Sequence, residues 1–130
     1  MQPLANFRIA VKEMRIKNNE LADGEYQFSP VITRNIATID EKTALVELIL
    51  KAENSKEKPF PIDLYISLEG YFNIENIPKE QIDHFLKVQS VQILYPYLRA
   101  SASNLTTAAL MPPIVLPIID AKTMFKDESK

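Results

Sequence analysis

Residues 110–119 read LMPPIVLPII. The stretch carries no charge, hydroxyl or side-chain amide, and three of its ten residues are proline. A helix cannot run through Pro112, Pro113 and Pro117, because proline has no backbone N–H and its ring clashes with the preceding turn. A central strand is excluded for a related reason, since proline cannot donate to a ladder. Each proline also pushes the residue before it toward extended geometry. The segment therefore reads as a stiff, extended ribbon displaying Met111, Ile114, Val115, Leu116, Ile118 and Ile119. An extended proline-rich chain has about three residues per turn and points its side chains around its axis. It cannot hide them all against one surface. Two readings follow: a ribbon that closes the core and meets a second subunit, or one wall of a binding groove.

The flanks of the ribbon set the fold class. Upstream, PIDLYISLEGYFNI (61–74) alternates cleanly, with Ile62, Leu64, Ile66, Leu68, Phe72 and Ile74 on one parity and polar residues on the other. That is a strand with one face on the core. TALVELILKAEN (43–54) reads as another strand, with Val46, Leu48 and Leu50 on one face and Leu45 and Ile49 on the other. YQFSPVITRNIATI (26–39) reads as a strand in which Pro30 marks an edge or a bulge. In FRIAVKEMRIK (7–17) the apolar parity jumps from Phe7, Ile9 and Val11 to Met14 and Ile16, which predicts a bulge near Lys12 and Glu13. After Pro78 the period changes. PKEQIDHFLKVQ reads as a short helix begun by proline. SVQILYPYLRASASNLTTAAL (90–110) reads as a long one, with Val91, Leu94, Leu98, Ala102, Leu105 and Ala109 at three- and four-residue spacing. Ser90 is the predicted N-cap, and Pro96 is expected to bend the axis. The opposite flank is polar but uncharged: Ser101, Ser103, Asn104 and Thr107. A solvated flank ordinarily carries Lys and Glu, so this one is expected to meet protein. Four strands followed by helices signal an α+β fold.

Composition removes whole classes of function. The chain has 130 residues, a length that favours one domain. Its 15 basic and 17 acidic residues are interspersed, which argues against a nucleic-acid surface built on phosphate neutralisation. There is no cysteine, hence no disulfide and no thiolate metal site. The N-terminus has no secretory apolar region and no window is long enough to span a bilayer, so neither export of this chain nor membrane insertion is expected. His84 is the only histidine and has no partner at metal-ligand spacing, which also removes a hydrolytic triad. With two glycines, Gly24 and Gly70, the chain lacks a phosphate-cradling loop. No catalytic residue, metal or cofactor is therefore expected. Asn104-Leu105-Thr106 matches a glycosylation sequon, but it lies mid-helix and reads as coincidence.

The stretch ILYPYLRASASNLTTAALMPPIVLPIIDAKTMF (93–125) resembles SecB-type protein-export chaperones. The shared pattern is aromatic-Pro-Tyr, an Arg and a small-residue helix, a Pro-rich crossover, then a short Asp-Ala helix with an aromatic. The resemblance implies a four-stranded antiparallel Greek-key sheet packed with one long helix and a short C-terminal helix. It divides a single 1–130 domain into a sheet (1–76), a helical part (78–110), an extended crossover (111–119), a short helix (120–126) and a tail (127–130). It also implies a bacterial, cytoplasmic, ATP-independent holdase, a tetramer made as a dimer of dimers. Such a holdase binds unfolded or precursor proteins and passes them to the export ATPase SecA, or serves one dedicated client such as an antitoxin. Carried over by position, the client groove comprises the crossover residues Met111, Ile114, Val115, Leu116, Ile118 and Ile119. To these it adds Met124 and Phe125 on the last helix, and Tyr26 and Phe28. A helix-mediated tetramer would use Tyr95, Tyr97, Ser101, Asn104, Leu105 and Ala108. Of the acidic sheet face on which the family docks its ATPase, Glu13 fits, whereas Lys17 and Tyr65 stand where acids are expected and the KDESK tail is short.

Overall fold

The computed structural model describes residues 7–125. The predicted tail at 127–130 lies outside them. Four strands, β1 (Phe7–Asn18), β2 (Val31–Thr38), β3 (Thr43–Ala52) and β4 (Ile62–Asn73), form one antiparallel sheet in the order β1-β4-β3-β2. Strands β2, β3 and β4 are joined by short turns, and the first strand returns to lie beside the fourth, which is the Greek-key order. The helices follow: α1 (Lys79–His84), α2 (Ser90–Ala108) and α3 (Ala121–Met124).

The period-two alternation is realised as read. On the helix-facing side β3 buries Ala44, Val46, Leu48 and Leu50, and β4 buries Ile62, Leu64, Ile66, Leu68 and Phe72. These pack against Val91, Leu94, Leu98 and Ala102 of α2. The expected irregularity in β1 is present: its register against β4 shifts between Val11 and Glu13, so that Val11 opposes Leu68 while Glu13 opposes Ser67. The extra residue keeps both apolar sets of the strand, Phe7, Ile9 and Val11 and then Met14 and Ile16, on the helix-facing side. The helix does not cover that edge completely, and Phe7, Val11 and Met14 remain exposed.

Three local expectations are corrected. The second strand begins at Val31 rather than Tyr26. Pro30 has no N–H for a ladder, and the Tyr26 hydroxyl instead donates to the Ala22 carbonyl, closing its own loop. Ser90 is not an N-cap. Residues Phe85–Gln89 form a π-helical turn that joins α1 to α2 without a break. Within it the Ser90 N–H bonds the Phe85 carbonyl. The buried Ser90 hydroxyl donates back to the Leu86 carbonyl at 2.6 Å. One helix thus runs from 79 to 108, and Pro96 lies deep within it. The last residues of the predicted 90–110 helix are the third: α2 stops at Ala108, and Leu110 takes a left-handed backbone with φ 62°.

Candidate functional site

The ribbon at 111–119 runs back along α2 and is held there by side chains of the helix. Thr106 Oγ1 accepts from the Ile114 N–H at 3.0 Å and donates to the Ala102 carbonyl at 2.8 Å. Ser103 Oγ donates to the Ile114 carbonyl at 2.8 Å, Arg99 Nε to the Leu116 carbonyl at 2.9 Å, and the Tyr95 hydroxyl to the Pro117 carbonyl at 2.6 Å. Residues 95, 99, 103 and 106 are three or four apart and so share one helical stripe. The chemistry fits a proline-rich chain, which is poor in N–H donors but keeps every carbonyl acceptor. Burial pushes the Tyr95 phenol above its usual value, against the pull of the Arg99 charge. Thr106→Val keeps the shape but leaves the Ile114 N–H without its acceptor. We expect a loss of about 1–3 kcal/mol, read from the denaturant midpoint, with faster protease cleavage inside the ribbon.

Anchoring by carbonyls fixes which side chains face outward. Leu116 is fully buried. It pins the ribbon to the protomer's own core and is therefore withdrawn from the surface of the expected groove. Met111, Ile114 and Ile119 are half-buried against that core. Val115 is 67 % exposed, Ile118 87 % and Leu110 93 %. Below the ribbon's end, Ile118 and Ile119 meet Gln92, Tyr95, Pro96 and Arg99 around a cleft of about 160 Å³, room for a side chain rather than a cofactor.

The ribbon leads into α3, whose Asp120 cap accepts from the Lys122 N–H at 2.9 Å. Phe125 lies 4.5 Å beneath the guanidinium of Arg34 on β2, whose Nη1 donates to the Lys87 carbonyl in the π-helical turn at 2.7 Å. Met124 and Phe125 are partly buried against the core. Phe28 stacks on Phe60 at a centroid separation of 5.3 Å. Tyr26, turned onto its own loop, is not gathered with the crossover. Sequence reasoning missed Arg34, Arg99 and Thr106. The last two were legible in principle, as hydrogen-bonding side chains spaced along one stripe ahead of a donor-poor segment.

The helix flank expected at a subunit interface divides in two. Tyr95 is buried in its own protomer, because its hydroxyl is committed to Pro117, and it is removed from that set. Tyr97, Asn104 and Ala108 are exposed, and Ser101 and Leu105 half-buried.

The side of the sheet away from the helix is mixed in charge. Glu13 is paired with Arg15 at 2.6 Å, and Arg15 also lies 4.4 Å over the Tyr65 ring. Arg8 covers Tyr71 at 4.7 Å, and Lys51 pairs with Glu53 at 3.5 Å. The Ser67 hydroxyl holds the Glu47 carboxylate below its ordinary value, outweighing the effect of burial, with help from Asn35 and Lys12. Hydrogen bonds from the Asn54 N–H and the Asn19 side chain do the same for Asp63. A shallow cleft of about 520 Å³ on the sheet is lined by Arg15, Lys17, Lys51, Glu53, Asp63 and Tyr65. Acids and bases alternate there, and no acidic surface forms. Among the described residues no cluster could hold a metal ion, and no helix is long and apolar enough to cross a membrane.

Comparison with known proteins agrees with this geometry. The family model described as SecB, preprotein translocase subunit SecB, matches residues 8–130. The protein-export protein SecB of Neisseria meningitidis serogroup B is 27 % identical over 120 residues, covering 91 % of this chain and 70 % of that protein. An uncharacterized protein of the archaeon Methanocaldococcus jannaschii is 28 % identical over 113 residues, covering 87 % and 68 %. Among solved structures, a SecB-like chaperone of Mycobacterium tuberculosis, in complex with a peptide from the HigA1 antitoxin, superposes with a TM-score of 0.69 at 15 % identity, covering 89 % of this chain and 91 % of that one. With the match running almost the whole length of the sequence, the chain belongs to the SecB family.

Proposed function

We propose that this protein is an ATP-independent holdase that captures unfolded or precursor polypeptides on the outward side of the crossover. The observation that carries the reading is the division within one ribbon: Leu116 is buried while Val115 and Ile118 stand in solvent. A segment that served only the core would not display large apolar groups on both sides of its anchor. Met111, Ile114 and Ile119 form the base of the surface, and Met124 and Phe125 continue it onto α3. The protein uses no enzyme chemistry; it acts by burying apolar area that a client would otherwise use to aggregate. It works in the cytoplasm.

The uncharged flank of α2, exposed at Tyr97, Asn104 and Ala108 and half-buried at Ser101, supports assembly through the helices. The exposed β1 row Phe7, Val11 and Met14 supports a second contact, and the two together suit a dimer of dimers. Light scattering at micromolar concentration is expected to give a tetramer mass.

Substoichiometric protein is expected to suppress aggregation of a chemically unfolded client. Val115→Asp with Ile118→Asp is expected to reduce suppression at least tenfold with little change in stability, because both side chains are already exposed. No suppression by the wild type overturns the holdase reading. A second reading, a chaperone dedicated to one client, is favoured by the charge-balanced sheet face, where Glu13 is already neutralised by Arg15. Titration with SecA and affinity capture from the native cell separate the two. Salt-sensitive SecA binding with many unfolded clients supports general export, and one stoichiometric partner without SecA binding supports the dedicated role.

A further inference from the structure

Leu110 sits where the helix ends. The Leu110 N–H bonds the Thr107 carbonyl at 3.0 Å and the Met111 N–H bonds the Thr106 carbonyl at 3.0 Å. These paired bonds close a helix through one residue in left-handed conformation, a position that glycine usually fills because it has no Cβ to clash. Here it is leucine, at φ 62°. The left-handed region is unfavourable for any residue with a Cβ. The fold recovers nothing in return, since the side chain is 93 % exposed. Glycine would close the same turn with less strain and less apolar surface in water. Backbone strain kept at a residue that packs against nothing points to use of its side chain.

We propose that Leu110 is a client-contact residue, the outermost anchor of the surface formed with Val115 and Ile118, and that its occupant is an apolar stretch of a non-native polypeptide. This rests on the holdase reading and adds Leu110 to its surface. Two features favour such an occupant. No charged residue lies between Arg99 and Asp120, so no charge pattern selects a particular folded partner. Pro112 and Pro113 offer no N–H, so the chain next to Leu110 cannot recruit a partner strand through those donors. Recognition is left to side-chain contact, which tolerates varied sequence.

The test pairs Leu110→Gly with Leu110→Met in the full-length protein. Binding is measured by fluorescence with a labelled, permanently unfolded polypeptide, alongside thermal denaturation and light scattering. Leu110→Gly is expected to raise the midpoint by roughly 3–6 °C, as relief of left-handed strain in a chain of this size should, and to weaken client binding about fivefold. Leu110→Met should bind like the wild type. Wild-type-like client binding by Leu110→Gly overturns the proposal while leaving the holdase reading intact. A loss of assembly mass without a loss of client binding also overturns it, naming a second copy as the occupant. A wild type that binds no unfolded polypeptide removes both readings together.

Discussion

Leu116→Ala is expected to cost about 2–5 kcal/mol of stability, the range for truncating a fully buried leucine whose surroundings cannot collapse into the space. Collapse is resisted here from both sides. The ribbon is stiffened by Pro117 immediately after Leu116, and its backbone is tied on either side of the pin at Ile114 and Pro117. The wall facing it belongs to the sheet–helix core. The neighbouring Val115→Ala, at an exposed position, should change stability by no more than ~0.5 kcal/mol. Urea titrations of the two variants give the comparison directly. Leu116→Ala should also weaken client capture, because a ribbon without its pin no longer presents Val115 and Ile118 in fixed positions. Equal midpoints for the two variants would show that the ribbon is not held by this residue.

The second large effect lies at Gly70. A Cβ built there falls 2.7 Å from Phe72 Cε2 and 2.8 Å from Leu94 Cδ2. Neither neighbour is free to retreat. The Phe72 ring has Phe7 at 5.7 Å and Phe85 edge-on at 5.5 Å, and Leu94 is fully buried on the sheet-facing side of α2. Gly70→Ala is therefore expected to destabilise by about 1–3 kcal/mol, the cost of overpacking a filled core. Substituting glycine in a strand would otherwise stabilise by roughly 0.5–1 kcal/mol, so the sign of the change decides the matter. Adding Leu94→Ala to the same chain should cost less than the sum of the two single changes, since the introduced methyl partly fills the space that the leucine leaves. A stabilised Gly70→Ala would refute the close approach of helix to sheet at this point.

What the sequence made legible follows from how local each signal is. The faces of β3 and β4 were readable because side chains in a strand alternate strictly, and the sheet kept that alternation from Ile62 to Phe72. The bulge at Lys12 was readable because it left a fault in the same alternation. Ser90 was not, because a serine hydroxyl caps a helix or bonds back to a carbonyl one turn earlier, and only the π-helical turn before it selects the second. Proline content established that 111–119 is extended but not how it is rotated about its axis. That rotation came from Tyr95, Arg99, Ser103 and Thr106. It moved Leu116 from the expected groove into the core and Tyr95 from the expected subunit contact onto Pro117. Glu13 stands on the open sheet face, and its pairing with Arg15 was not legible because it depends on the side chains meeting. The role of Leu110 is not legible in the sequence, because it lies in a backbone angle.

The ribbon hangs from the helix by its own carbonyl oxygens, and a carbonyl oxygen is the same whatever side chain it accompanies. Positions 115 and 118 can therefore be redrawn without disturbing what holds them, much as the print on a banner is independent of its cords. On the holdase reading proposed above, changes at those outward positions alone would let descendants of such a chain move from one set of polypeptides to another, with the buried architecture untouched.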